Sequence, residues 1–186
     1  MSHFIRRRTL LATLGGSAAL SLAACASAPA RPAARVVVIG GGFGGATAAK
    51  YIRLWAPDIE VVLVEREKAF ISCPLSNLVL GGSETLENLT TGYDTLTRKY
   101  GVRVVQDEAT AIDAQKKEVR LARGDTLRYD RLIVSPGVDF QYDQLPGLES
   151  AEAQAQVLHA WKAGPQTVAL RRQLEALPDG GVFALH

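Results

Sequence analysis

Two runs, Val36-Val37-Val38-Ile39 and Val61-Val62-Leu63-Val64, are apolar at every position. β-Branched runs without polar alternation predict strands covered on both faces, as in a parallel sheet between two layers. Between them, Phe43 to Trp55 carries Ala46, Ala48, Ala49 and Ile52 at helical spacing, and Pro57-Asp58 ends the pattern. Small residues on one face suit a helix packed close against a sheet. Strand, helix and strand form a βαβ unit and place the chain in the α/β class. Val102–Val105 and Tyr129–Val134 read as further buried strands. Lys117–Leu121 and Thr126–Tyr129 alternate apolar and charged residues around Gly124-Asp125, the signal of a small β-hairpin insertion. Leu86–Tyr100, Ala151–Ala163 and Gln166–Leu177 read as helices, and Phe70–Asn77 as an irregular loop. Val182–Leu185 reads as the opening of one more strand, so the pattern stops inside an element. The chain is expected to be the N-terminal part of a longer protein, and its partial sheet to hold a ligand poorly.

The first strand runs into Gly40-Gly41-Gly42-Phe43-Gly44-Gly45, with Gly40, Gly42 and Gly45 in GxGxxG register. The first glycine permits the tight turn, the second lets the backbone approach a pyrophosphate, and the third lets the helix pack close. The helix then presents its first-turn N–H groups to the phosphates. Glu65 ends the second strand, where this arrangement places a carboxylate on ribose hydroxyls. A carboxylate there argues against a 2′-phosphate. The fourth strand ends in Ser135-Pro136-Gly137, a turn that lets the backbone return to the same ligand.

Composition narrows the picture at the ends of the charge range. A formal net charge of +2 over 186 residues, with no basic cluster outside the N-terminus, gives no basis for a nucleic-acid partner. The basic cluster, Arg6-Arg7-Arg8, precedes an apolar stretch to about Ala24 that is too short to span a bilayer comfortably. Residues 1–30 therefore read as an export signal, resembling the twin-arginine type, and predict a periplasmic protein. Leu22-Ala23-Ala24-Cys25 resembles a lipobox, which leaves lipid anchoring at Cys25 and plain cleavage both open. Outside the signal Cys73 stands alone.

From about Arg35 onward the chain resembles the flavoprotein subunit of flavocytochrome c sulfide dehydrogenase. The glycine segment carries part of the resemblance, together with Cys73, Leu75-Ser76-Asn77, Gly92-Tyr93-Asp94, Tyr129–Gly137 and His159-Ala160-Trp161-Lys162-Ala163-Gly164. That resemblance implies a Rossmann-like FAD-binding domain of the two-dinucleotide-binding flavoprotein fold over residues 35–150. Residues 151–186 would be a helical linker and the start of a second dinucleotide-binding domain. It further implies FAD joined through Cys73 to the flavin's 8α-methyl group, a c-type cytochrome subunit as partner in a heterodimer, and a small inorganic sulfur substrate, sulfide. The family's redox-active cysteine pair has no counterpart in this sequence.

The cofactor-binding set is then Gly40, Gly41, Gly42 and Gly45 for the pyrophosphate, Glu65 for the ribose, and Cys73 for the tether. The Ala109 backbone is assigned to the adenine edge, and Ser135 and Gly137 form the return turn. No catalytic residue or metal ligand is assigned within the chain. His159 is expected on a helix surface or in packing, and Trp161 in packing or as an interface anchor. Two other readings stay open: a sulfide:quinone reductase-like or NAD(P)H-linked flavoenzyme with non-covalent FAD, and a truncated product without activity.

Overall fold

A computed structural model describes residues 32–183. The expected export signal, with Cys25, lies outside the described residues, as does the end of the expected last strand. The central layer is a four-stranded parallel sheet in the order β5-β2-β1-β9. These strands are β1 (Ala34–Ile39), β2 (Ile59–Glu65), β5 (Arg103–Gln106) and β9 (Arg131–Val134). The register runs from Ala34 opposite Ile59 to Ile39 opposite Val64, and Ile39 faces Val134 on the other side. The ends of β1, β2 and β9 therefore come together at one edge.

The apolar runs are explained by two cores. Val36, Val38, Val61 and Leu63 point to one face, where helix α1 (Phe43–Trp55) contributes Ala49 and Ile52 and helix α3 (Asp94–Tyr100) contributes Leu96 and Tyr100. Val37, Val62 and Val64 point to the opposite face, against Val119, Leu121 and Leu127 of a small antiparallel sheet. Successive side chains on a strand alternate faces, so a strand covered twice has no polar positions to spare. Leu63 has 0% of its surface exposed. Burying a side chain of that size stabilises the fold by roughly 1.5–3 kcal/mol. The Arg53 guanidinium donates to the carbonyls of Tyr100 and Pro57 at 2.9 and 2.6 Å, tying the ends of α1 and α3 together.

Several elements depart from the sequence pattern. The antiparallel layer has three strands, β6 (Ala109–Asp113), β7 (Glu118–Leu121) and β8 (Thr126–Arg128), rather than a bare hairpin. The helix expected over Leu86–Tyr100 is only α3. Residues 86–89 form a turn, and β4 (Thr90–Gly92) follows, antiparallel to β3 (Ala69–Ile71), with Phe70 opposite Thr91. Two β-branched threonines and a glycine favour that pairing over helix. The loop expected over Phe70–Asn77 accordingly begins in β3 and ends in α2 (Ser76–Gly81).

The helix expected over Ala151–Ala163 is α4 (Ala151–Gln156), started by the Ser150 hydroxyl accepting the Ala153 N–H at 3.1 Å. It stops because the residues that follow are held elsewhere: His159 stacks on Phe140 and Lys162 reaches Asp139. Helix α5 (Pro165–Glu175) packs on α2, with Arg171 donating to the Val79 and Leu80 carbonyls at the C-terminal end of α2. Val182 and Phe183, expected to open a strand, have no regular secondary structure.

Candidate functional site

The ends of β1, β2 and β9 frame a turn whose shape is set by contacts that only glycine permits. Gly40 has φ +92°, and a Cβ there would lie 2.0 Å from the Ser135 carbonyl oxygen. A Cβ on Gly45 would lie 1.8 Å from the Gly40 carbonyl oxygen, so the third glycine is where α1 meets the turn. Ser135 is drawn in by its own N–H, which donates to Ile39 at 2.8 Å. The two turns expected to share a ligand are thus in contact. Gly137, with φ +79°, is open on its outer side.

Hydrogen bonding separates the glycines into two groups. Gly40 N–H donates to the Val64 carbonyl at 2.9 Å, and Gly41 N–H donates to Glu65 Oε2 at 2.6 Å. Among the described residues no protein acceptor takes the N–H of Gly42, Phe43, Gly44 or Gly45. These are the four donors that a helix start leaves unpaired. Gly42 caps α1 without a side-chain bond, and no acidic residue stands in the first turn. Four free donors and the positive end of a thirteen-residue helix make a cradle whose chemistry suits an anion such as a diphosphate. Gly40 and Gly41, assigned by spacing to the pyrophosphate itself, have N–H groups already engaged and serve to shape the cradle.

Glu65 lies beside it. Its Oε1 accepts the Glu67 N–H at 2.9 Å, while Oε2 holds Gly41. Each oxygen keeps lone-pair capacity for a hydroxyl donor. The Glu65 carbonyl also accepts from Asp107 N–H at 3.1 Å, which brings the start of β6, and with it half-buried Ala109, to the same edge of the sheet. Ala109 packs on the second core, opposite Leu121.

Cys73 is exposed, in the loop between β3 and α2, and its carbonyl accepts the Ser76 N–H at 2.9 Å. Phe70 connects that loop to the cradle. Its ring would lie 3.5 Å from a Cβ on Gly42, and it packs edge-on against Phe43 with centroids 4.9 Å apart. Three residues of chain reach at most about 11 Å, so Cys73 sits within one short span of the cradle's rim.

The reading by spacing missed Tyr93. Its ring is buried under Gly41 and its hydroxyl donates to the Gly41 carbonyl at 3.2 Å. Burial, with Glu65 and Glu67 nearby, pushes its pKa up to about 12, so the hydroxyl stays a donor throughout the working range. The only sequence signal was the Gly92-Tyr93-Asp94 segment, which carried a resemblance without a role.

A second concavity, of about 230 Å³, is lined by Phe140, Tyr142, His159 and Lys162, with Asp139 at its edge. Lys162 Nζ lies 3.0 Å from Asp139, and Arg66 reaches the same carboxylate at 3.5 Å. The hydrogen bond from Lys162 holds the Asp139 carboxyl below the usual range. His159 is not on a helix surface: its ring packs on Phe140 with centroids 4.3 Å apart, and its buried Nδ1 has no partner among the described residues. Burial, then the Lys162 ammonium, lowers its pKa. Trp161 is 74% exposed rather than packed.

Comparison with known proteins points the same way as the cradle. The chain is 62% identical over 45 residues to the flavoprotein chain of sulfide dehydrogenase [flavocytochrome c] from Chlorobaculum thiosulfatiphilum, an alignment covering 24% of this chain and 94% of that sequence. It is 29% identical over 105 residues to the sulfide-quinone reductase of Aquifex aeolicus, covering 56% of this chain and 24% of that one. The X-ray structure of the Aquifex aeolicus sulfide:quinone oxidoreductase superposes with a TM-score of 0.66 at 24% identity, over 77% of this chain and 32% of that chain. The fold is shared, while this chain spans about a quarter to a third of the Aquifex relatives. Residues 34–174 match the pattern of the pyridine nucleotide-disulphide oxidoreductases, and the chain belongs to that family.

Proposed function

We propose that this chain is the FAD-holding part of a periplasmic flavoprotein that oxidises sulfide and passes the electrons to a c-type cytochrome, with the flavin tethered at Cys73. The observation that carries the reading is the 62% identity to a flavocytochrome c flavoprotein chain. The free donors of Gly42–Gly45 would hold the diphosphate and Glu65 the ribose. Ser135 and Gly137 would close the return turn, and the start of β6 at Ala109 would meet the adenine edge. Cys73 has the exposure that covalent attachment needs, on a loop one short span from the cradle. Bound FAD would supply the electron-transfer chemistry, accepting two electrons and releasing them singly. The protein's part is to bind and orient it. The arginine-rich, apolar segment over residues 1–30 supports export to the periplasm, with Cys25 as an anchor if it is lipidated.

A second reading, non-covalent FAD with a quinone acceptor, is favoured by the longer alignment to the sulfide-quinone reductase. Acid denaturation followed by electrophoresis separates the two. Covalent attachment predicts flavin fluorescence travelling with the protein band, and its disappearance in Cys73→Ser. Fluorescence that leaves the unsubstituted protein in acid sinks the tether and leaves the second reading standing.

A further inference from the structure

We propose that Tyr93 is a positioning residue of the cradle: by fixing the Gly41 carbonyl, its hydroxyl aims the Gly42 N–H at the ligand's diphosphate. The inference rests on the FAD reading above and goes beyond it, because no spacing rule assigns a tyrosine fifty-two residues from the turn a part in it.

The argument starts from the peptide plane. In a trans peptide the C=O and the following N–H point in opposite directions. The Tyr93 hydroxyl holds the Gly41 oxygen from the core side at 3.2 Å, so the N–H of Gly42 is turned the other way, and it is one of the four without a protein acceptor. Glycine flanks this peptide on both sides, and two glycines leave a peptide almost free to rotate. A rotated peptide would present a carbonyl oxygen to the diphosphate in place of a donor. The preceding peptide is fixed separately, by Glu65 Oε2 on the Gly41 N–H at 2.6 Å. The two side chains thus lock two successive peptides, and only Tyr93 acts on the one whose N–H is free.

Gly41 carries the imprint of this contact. It is not among the glycines with positive φ, so its backbone would accept a side chain. What excludes one is Tyr93, whose hydroxyl and ring would lie 2.6–2.7 Å from an added Cβ. The second glycine of the run is required by the tyrosine beneath it. Tyr93 is itself held by the first core and by its place at the start of α3, so its ring is positioned without the ligand.

The test is equilibrium titration of the full chain with FAD, ADP and adenosine, beside Tyr93→Phe. Phenylalanine keeps the ring and removes only the donor. FAD and ADP, which carry the diphosphate, should bind about tenfold more weakly, the scale of one hydrogen bond, while adenosine should bind as before and the melting temperature should fall by no more than about 2–4 °C. Equal affinities for all three ligands in both proteins overturn the proposal. So does an equal loss for all three, which would mark Tyr93 as a support of the fold alone. Unsubstituted protein that binds FAD and ADP no more tightly than adenosine overturns the flavin reading itself, a different failure. A double-mutant cycle adds a check: Gly41→Ala should weaken FAD binding beside Tyr93 and weaken it less beside Tyr93→Ala. The same loss in both backgrounds counts against the contact.

Discussion

The cradle and the segment after Gly137 are built on opposite plans. In the cradle most shaping contacts are long-range, Gly41 to Glu65 and Tyr93 and Gly40 to Val64 and Ser135, and they gather at the ends of β1 and β2, whose central side chains are fully buried. Beyond Gly137, a short helix, a 3-10 turn at Tyr142–Gln144 and a loop are joined by half-exposed ion pairs, with Val138, Val157 and Trp161 facing outward. A rigid site on a shared core should fail all at once when disturbed. A segment held by separate polar contacts should loosen piece by piece.

The largest expected effect lies in the cradle. Gly45→Val drives a side chain into the Gly40 carbonyl oxygen, from which even a Cβ would be 1.8 Å away, and against Val38. Relief requires separating α1 from β1, which also opens the first core. We expect a loss of about 3–5 kcal/mol in urea unfolding, with a single cooperative transition. Two separated transitions would show the cradle to be independent of the sheet and would remove the contrast.

How much of this was legible in the sequence follows the same division. Val36–Ile39 and Val61–Val64 announced themselves because a twice-covered strand leaves no polar positions; Gly40, Gly45 and Glu65 could be placed by spacing along one βαβ unit, and Ser135 by the Ser135-Pro136-Gly137 turn that ends a later buried strand. Tyr93 could not, since its partner is set by how α3 lies on the sheet. Strand β6 escaped because Thr110, Ala111 and Ile112 are exposed and carry no alternation; only pairing with β7 makes them a strand. Thr90–Gly92 is likewise a strand by virtue of Ala69–Ile71 alone. The helical pattern after Ala151 was overridden at Val157 by His159 and Lys162 turning back to Phe140 and Asp139. Local propensity reads well where burial is uniform and poorly where a single tertiary contact decides.

An intermediate effect is expected where the later segment touches the cradle's side of the molecule. The Arg171 guanidinium covers the last carbonyls of α2, at 3.3 Å from Leu80, and pairs with Glu175 at 2.6 Å. A cation at a helix C-terminus both satisfies orphan acceptors and complements the dipole. Arg171→Ala should cost about 1 kcal/mol. Hydrogen exchange should quicken over Ser76–Gly82, next to the Cys73 loop, and stay unchanged in β1 and β2. Faster exchange in those strands would mean that α5 supports the whole sheet.

The smallest effect is a pH response confined to the later segment. The folded protein holds His159 below its ordinary 6.5, chiefly by burial and then by Lys162, so an unfolded chain takes up a proton first as pH falls. Stability from the neutral ring is whole above 6.5 and declines as pH drops from there toward the folded value. Asp139, held below 3.8 by the Lys162 hydrogen bond, contributes in the same direction, its share lost only in stronger acid. In a Trp55→Phe background, Trp161 fluorescence reports this segment alone. It should shift as pH falls through the His159 range while flavin binding holds, and His159→Phe should remove the shift while keeping the stack on Phe140. A shift of equal size in His159→Phe would place the titrating group elsewhere. A matching drop in flavin affinity would mean that the Arg66–Asp139 pair carries the change to the cradle's rim, and the two regions would no longer be separable.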